Sequence, residues 1–122
     1  MEVFPMILSG QVSSPAGGGG PETVTLTINL DRYTSPKYAY IRYIDPITMK
    51  IVGDESTLPQ QYTFPLTITV LKNNIVYFAE SGWGGVPKIR RPYDDNVDVF
   101  GSSNQFYLNL SDSASITIYN SD

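Results

Sequence analysis

Apolar and polar positions alternate with a period of two along residues 23–30, with Val24, Leu26, Ile28 and Leu30 on one side and Thr23, Thr25, Thr27 and Asn29 on the other. Successive side chains leave an extended chain on opposite faces, so this pattern predicts a strand with one face buried and one in water. Three later segments alternate as cleanly: Leu66, Ile68 and Val70 around Thr67 and Thr69; Phe106, Leu108 and Leu110 around Tyr107 and Asn109; and Ala114, Ile116 and Ile118 around Ser115 and Thr117. Residues 37–44 differ. There Tyr38, Tyr40, Arg42 and Ile44 alternate with Ala39, Ile41 and Tyr43, so both faces are largely apolar or aromatic, as for a strand buried in its own sheet pair and covered again by a neighbour.

Turn chemistry divides these runs. Asn73-Asn74 can supply the positive φ of a tight turn and predicts a hairpin between residues 66–70 and 75–79, and Ser111-Asp112-Ser113 predicts a turn joining the last two strands. Pro65 belongs at a strand start or an edge, since it has no N–H for a ladder. Shorter strands are expected at 5–12, 47–52 and 97–100, with a loop at 53–61 and a long irregular segment at 81–95. No stretch shows helical periodicity. About eight short strands predict an all-β chain folded as an antiparallel β-sandwich, jelly-roll-like, with a small β-barrel as the alternative.

A chain of 122 residues fits one domain, 1–122, with a core that needs no staples. Residues 13–22, which include four consecutive glycines, read as a flexible loop, either an arm reaching a neighbouring subunit or a long hairpin loop. No helix follows these glycines to make a phosphate cradle.

Composition narrows the chemistry. There is no histidine and no cysteine, which removes the usual proton shuttle, the thiolate nucleophile and the commonest zinc ligands. Ser111 and Ser113 therefore have no imidazole to activate them. Charged residues make up 16%, against about 25% in typical domains, so the surface is expected to be hydroxyl-rich rather than ionic. A net charge of −4 disfavours nucleic acid and anionic membranes as partners. The N-terminal residues lack a basic region followed by an apolar run, and no segment reaches the length of a membrane span. Synthesis in the cytoplasm and later exposure on a virion or at the cell exterior is the expectation.

The most distinctive segment is 81–93, where Trp83 sits among glycines and is followed by Lys88, Arg90, Arg91 and Tyr93. An exposed indole there could stack on a sugar ring or anchor a protein contact, or it could fold back to plug one end of the sandwich. The cations could pair with Asp94 and Asp95 or with an acidic patch on another subunit. Asp94, Asp95, Asn96 and Asp98 carry oxygens suited in principle to calcium, yet their spacing is that of an ordinary polar turn, and neither a metal nor a cofactor is assigned. The nine tyrosines favour contact surfaces, with Tyr38 and Tyr40 on the doubly apolar strand as the candidates.

These features point to a non-enzymatic structural or assembly protein, such as a virion surface, capsid-decoration or tail-associated subunit. Its partners would be copies of itself or other virion proteins. The alternative is a carbohydrate-binding or adhesive module presenting Trp83 and Tyr93 to a glycan. An enzyme would have to work with Asp, Glu, Tyr, Lys and Arg alone.

Overall fold

The computed structural model describes residues 22–54, 56–102 and 104–121. The strand expected at 5–12 and all of the glycine-rich loop except Glu22 lie outside these residues. Among the described residues ten strands are formed: β1 (Thr23–Asp31), β2 (Lys37–Ile44), β3 (Ile51–Val52), β4 (Gln60–Tyr62), β5 (Leu66–Leu71), β6 (Ile75–Glu80), β7 (Pro87–Ile89), β8 (Val97–Ser102), β9 (Gln105–Leu110) and β10 (Ala114–Asn120). One sheet has the order β5-β1-β10-β7; the other has β3-β2-β6-β9-β8, with β4 also paired to β2. The chain is therefore all-β, with two packed sheets that do not close into a barrel, a β-sandwich.

The period-two pattern explains the interior. From the four-stranded sheet, Val24, Leu26, Ile28, Val70, Ile89, Ala114, Ile116 and Ile118 point inward. From the six-stranded sheet, Ala39, Ile41, Val76, Phe78, Val97, Phe106, Leu108 and Leu110 meet them, and Phe64 and Trp83 complete the cluster from loops. Fully burying one large apolar side chain such as Phe78 contributes about 1.5–3 kcal/mol, so this layer dominates stability. Among the described residues no polar or charged side chain is buried.

Pairing departs from the expectation in three places. The segment 66–79 is not a hairpin: β5 pairs with β1, whereas β6 pairs with β2 and β9 in the opposite sheet. Residues 72–74 form an arch that carries the chain across the core. The Asn73 φ of 61° does supply the predicted left-handed residue. However, two of the turn's donors are claimed by other segments, Lys72 N–H by the Glu22 carbonyl (3.0 Å) and Asn73 N–H by the Leu110 carbonyl (2.7 Å), while Asn74 N–H closes the turn on the Leu71 carbonyl (3.3 Å). Val70 and Leu71 are both buried, which already takes the chain out of the pleat. Residues 111–113 act in the same way, since β9 and β10 lie in different sheets. Thirdly, β10 runs parallel to β1, with Ile28 opposite Ile116, inside an otherwise antiparallel sandwich.

The short elements were harder to place. Residues 47–52 yield only the two-residue β3, while β4 and β7 fall in segments expected to be loop. Pro65 sits directly before β5, which is an edge strand, as its missing N–H requires. The hairpins that do form in the six-stranded sheet are β2 to β3 and β8 to β9; in the second the turn joins Ser102 to Gln105, and Gly101 just before it takes a φ of 112°. A Cβ there would lie 2.3 Å from the Gln105 carbonyl oxygen.

The left-handed residue in the first arch gives a direct test. Asn73→Val should lower unfolding free energy by about 1–2 kcal/mol, the cost of forcing a β-branched residue into that region, whereas Asn73→Gly should leave it nearly unchanged. Urea denaturation of the two variants separates these outcomes.

Candidate functional site

The segment 81–93 divides into an interior half and an exterior half. Trp83 is 5% exposed, so of the two readings of this loop the indole that folds back as a plug holds, and Trp83 is not an exposed contact residue. Its loop turns back because the Glu80 carboxylate accepts the Trp83 backbone N–H at 2.9 Å and because Gly82, Gly84 and Gly85 all take positive φ. At Gly85 any side chain would collide with Asn120, 2.3 Å from the position of a Cβ. The indole N–H donates to the Tyr38 carbonyl, and Tyr33, Phe64 and Phe78 meet the ring edge-on at 5.1, 5.8 and 5.8 Å. Trp83 thus closes one end of the sandwich and ties the loops that carry Tyr33 and Phe64 to it.

The exterior half carries the cations. Lys88 is on the edge strand β7, and Arg90 follows it. Arg90 forms an ion pair with Asp31 and lies 4.5 Å over the Tyr119 ring; Asp94 and Asp95 are not its partners. Asp94 instead accepts the Ser115 backbone N–H at 2.8 Å, and Asn96 donates to the Ser113 carbonyl at 3.2 Å, so this acidic turn caps the start of β10. Arg91 lies 5.3 Å from the Tyr93 ring centre and donates its Nε–H to the Tyr93 hydroxyl at 3.1 Å. Lys88, Arg90, Arg91, Tyr93 and Tyr119 line one open groove of ≈ 530 Å³, together with Gly101, Ser102 and Phe106 from β8 and β9. Among the described residues no cluster of three or more carboxylates could hold a metal ion.

Tyr38 and Tyr40 lie elsewhere, on the outer face of the six-stranded sheet, 50% and 39% exposed. Register assembles around them a surface that the linear chain does not display. Arg42 pairs with Tyr77, Tyr77 with Tyr107, and Tyr107 with Phe100, so four strands contribute one continuous row. The Arg42 guanidinium lies 4.9 Å over the Tyr77 ring, and the Tyr77 and Tyr107 rings are 5.2 Å apart at 55°. Phe100 is 57% exposed and Tyr107 43%. A second row runs beside it, Ile75 opposite Asn109 and Asn109 opposite Asp98. The Asn109 Oδ1 in that row is buried and has no hydrogen-bond donor among the described residues. Alternation around Phe106 and Leu108 foretold that Tyr107 would point outward; its alignment with Tyr77 and Phe100 depended on pairing.

Between β3 and β4, which share the outer edge of β2, a smaller cavity of ≈ 90 Å³ is lined by Tyr40, Arg42, Asp54, Thr57, Leu58 and Tyr62, among others. Hydroxyl and backbone hydrogen bonds from Ser56 and Thr57 hold the exposed Asp54 carboxyl below its ordinary range. Burial pushes Tyr62 and Tyr43 above the usual phenol range, reinforced by each phenol's neighbour, Tyr43 for Tyr62 and Asp45 for Tyr43. Among the described residues no ion pair or side-chain hydrogen bond joins an acid to a base in this small space.

No protein-family model, curated protein or solved structure matches the chain, and the reading that follows rests on its own geometry.

Two outcomes follow from this arrangement. Trp83→Ala should cost about 3–5 kcal/mol in chemical denaturation, the loss expected for an aromatic removed from a core. Tyr62 and Tyr43 favour their neutral forms in the folded state. Stability should therefore be intact below the ordinary phenol pKa of about 10 and fall as pH rises through the elevated values. Urea midpoints followed from neutral to alkaline pH should show that fall, and Tyr62→Phe should remove part of it.

Proposed function

We propose that this chain is a non-enzymatic assembly subunit that packs the outer face of its six-stranded sheet against the same face of a second copy. The observation that carries this reading is the row Arg42, Tyr77, Tyr107 and Phe100, flanked by Tyr40 and Ile75, in which Arg42 and Tyr77 are half-buried and the other four are exposed although the core beneath is already complete. Aromatic residues and arginine are the types that dominate interface energetics.

The surface is also complementary to itself. Arg42 lies toward the β2 side and Asp98 on the β8 side. A two-fold axis parallel to the strands would set β2 of one copy over β8 of the other. Arg42 would then meet the second copy's Phe100 ring and come within reach of its Asp98, and Tyr77 would meet Tyr107. An isologous interface requires this reciprocity. The rings at 55° favour interdigitation with side chains over a flat platform for sugar rings. The low charge and hydroxyl-rich composition support a place on the surface of a virion, as a decoration or tail-associated subunit exposed after cytoplasmic synthesis.

Sedimentation velocity across a concentration series tests this. The wild type should dimerise, and Phe100→Asp should abolish the dimer without altering the unfolding transition. Arg42→Glu should weaken it about tenfold, and Arg42→Glu combined with Asp98→Arg should restore it. A wild type that stays monomeric at the highest attainable concentration would overturn the proposal.

A further inference from the structure

Three of the chain's eight lysine and arginine residues fall within four positions, 88–91, in a chain of net charge −4. The fold gathers them. Lys88, Arg90 and Arg91 line the ≈ 530 Å³ groove beside β7, which borrows Gly101, Ser102 and Phe106 from β8 and β9 but none of the residues of the aromatic rows. Concentrating cations in a concave surface focuses a positive potential that a scattered arrangement would lose to solvent.

Both arginines are held in place before anything binds. Arg90 is fixed between Asp31 and the Tyr119 ring, which neutralises one charge of the three. Arg91 is fixed on Tyr93, and its hydrogen bond there uses Nε, leaving the two terminal nitrogens as a planar fork. That fork matches two oxygens of one carboxylate or phosphate, and holding it in advance reduces the ordering cost of binding. The nearest acid along the chain, Asp94, accepts the Ser115 backbone N–H and forms no ion pair with these cations among the described residues. Lys88 has no ion-pair partner among the described residues.

The groove is larger than a bare anion needs and falls in the range of small-molecule sites, about 300–1,000 Å³. Beyond the cations it offers the Tyr93 and Tyr119 phenols and the Ser102 hydroxyl. These donors and acceptors suit a body rich in hydroxyl groups, whereas a hydrocarbon body would leave them unpaired.

We propose that this groove binds a sugar bearing a carboxylate or a phosphate, its anionic group on Arg91 and Lys88 and its hydroxyls toward Tyr93, Tyr119 and Ser102. The site is independent of the self-association face, and either can operate without the other.

The test is a residue-resolved NMR titration at low ionic strength with glucuronate, glucose 6-phosphate, glucose and inorganic phosphate. At least one charged sugar should bind and shift amides of residues 87–93 and 101–106, with glucose at least about tenfold weaker. Which of the two charged sugars binds more tightly identifies the anionic group. Arg91→Gln and Lys88→Gln should each weaken that sugar about tenfold without moving the unfolding midpoint, while Phe100→Asp should bind it as the wild type does. Three results would overturn the proposal: binding of neither charged sugar, glucose binding equally well, or inorganic phosphate binding as tightly as glucose 6-phosphate.

Discussion

The contact between two apolar sheet faces is the interaction on which every other feature of this protein depends. Each sheet contributes eight inward side chains to one cluster, and the alternation that sends them inward sends their neighbours outward. Packing the core therefore also sets what the two outer faces present. On the four-stranded sheet the outward set includes Thr25, Thr27, Asn29, Thr67, Ser115 and Thr117, a polar lattice with cross-strand hydrogen bonds such as Asn29 to Ser115 at 2.8 Å. On the six-stranded sheet it is aromatic. The asymmetry between the faces carries the functional reading.

The same interior explains why consecutive strands part company. Tight turns at 72–74 and 111–113 have the residues of hairpins, yet both carry the chain from one sheet to the other. A hairpin would have stacked neighbouring segments in one layer and left fewer strands to cover the opposite side. Crossing distributes the apolar strands over two layers, and it leaves the first and last described strands side by side and parallel. Loops then have to seal the open ends. Trp83 does so at one end, which is why the only tryptophan of the chain serves the interior.

The aromatic face and the cationic groove solve different recognition problems. The face is broad, shallow and anchored by rings from several strands, a form suited to a large rigid partner. The groove is concave and charged at a sheet edge, with its guanidiniums held by neighbouring rings, a form suited to a small anionic one. A subunit that assembles through one surface and recognises a ligand through the other would keep both available at once.

The sequence by itself determined the all-β character, the principal strands and the face each side chain would take, because strand alternation is a local property of an extended chain. Val24, Leu26 and Ile28 inward and Thr25 and Thr27 outward could be read directly, whereas residues 37–44, apolar or aromatic on both faces, left open that Ala39 and Ile41 would turn inward and Tyr38 and Tyr40 outward. Tertiary structure alone decided which strands became neighbours, since arches and hairpins share the same turn residues and differ only in the long-range partners of their backbone groups. It therefore decided that Tyr77, Tyr107 and Phe100 form one row, that Arg90 meets Asp31 across 59 positions, and that Trp83 turns inward, where burying its ring and satisfying its N–H at Tyr38 outweighs exposure to solvent.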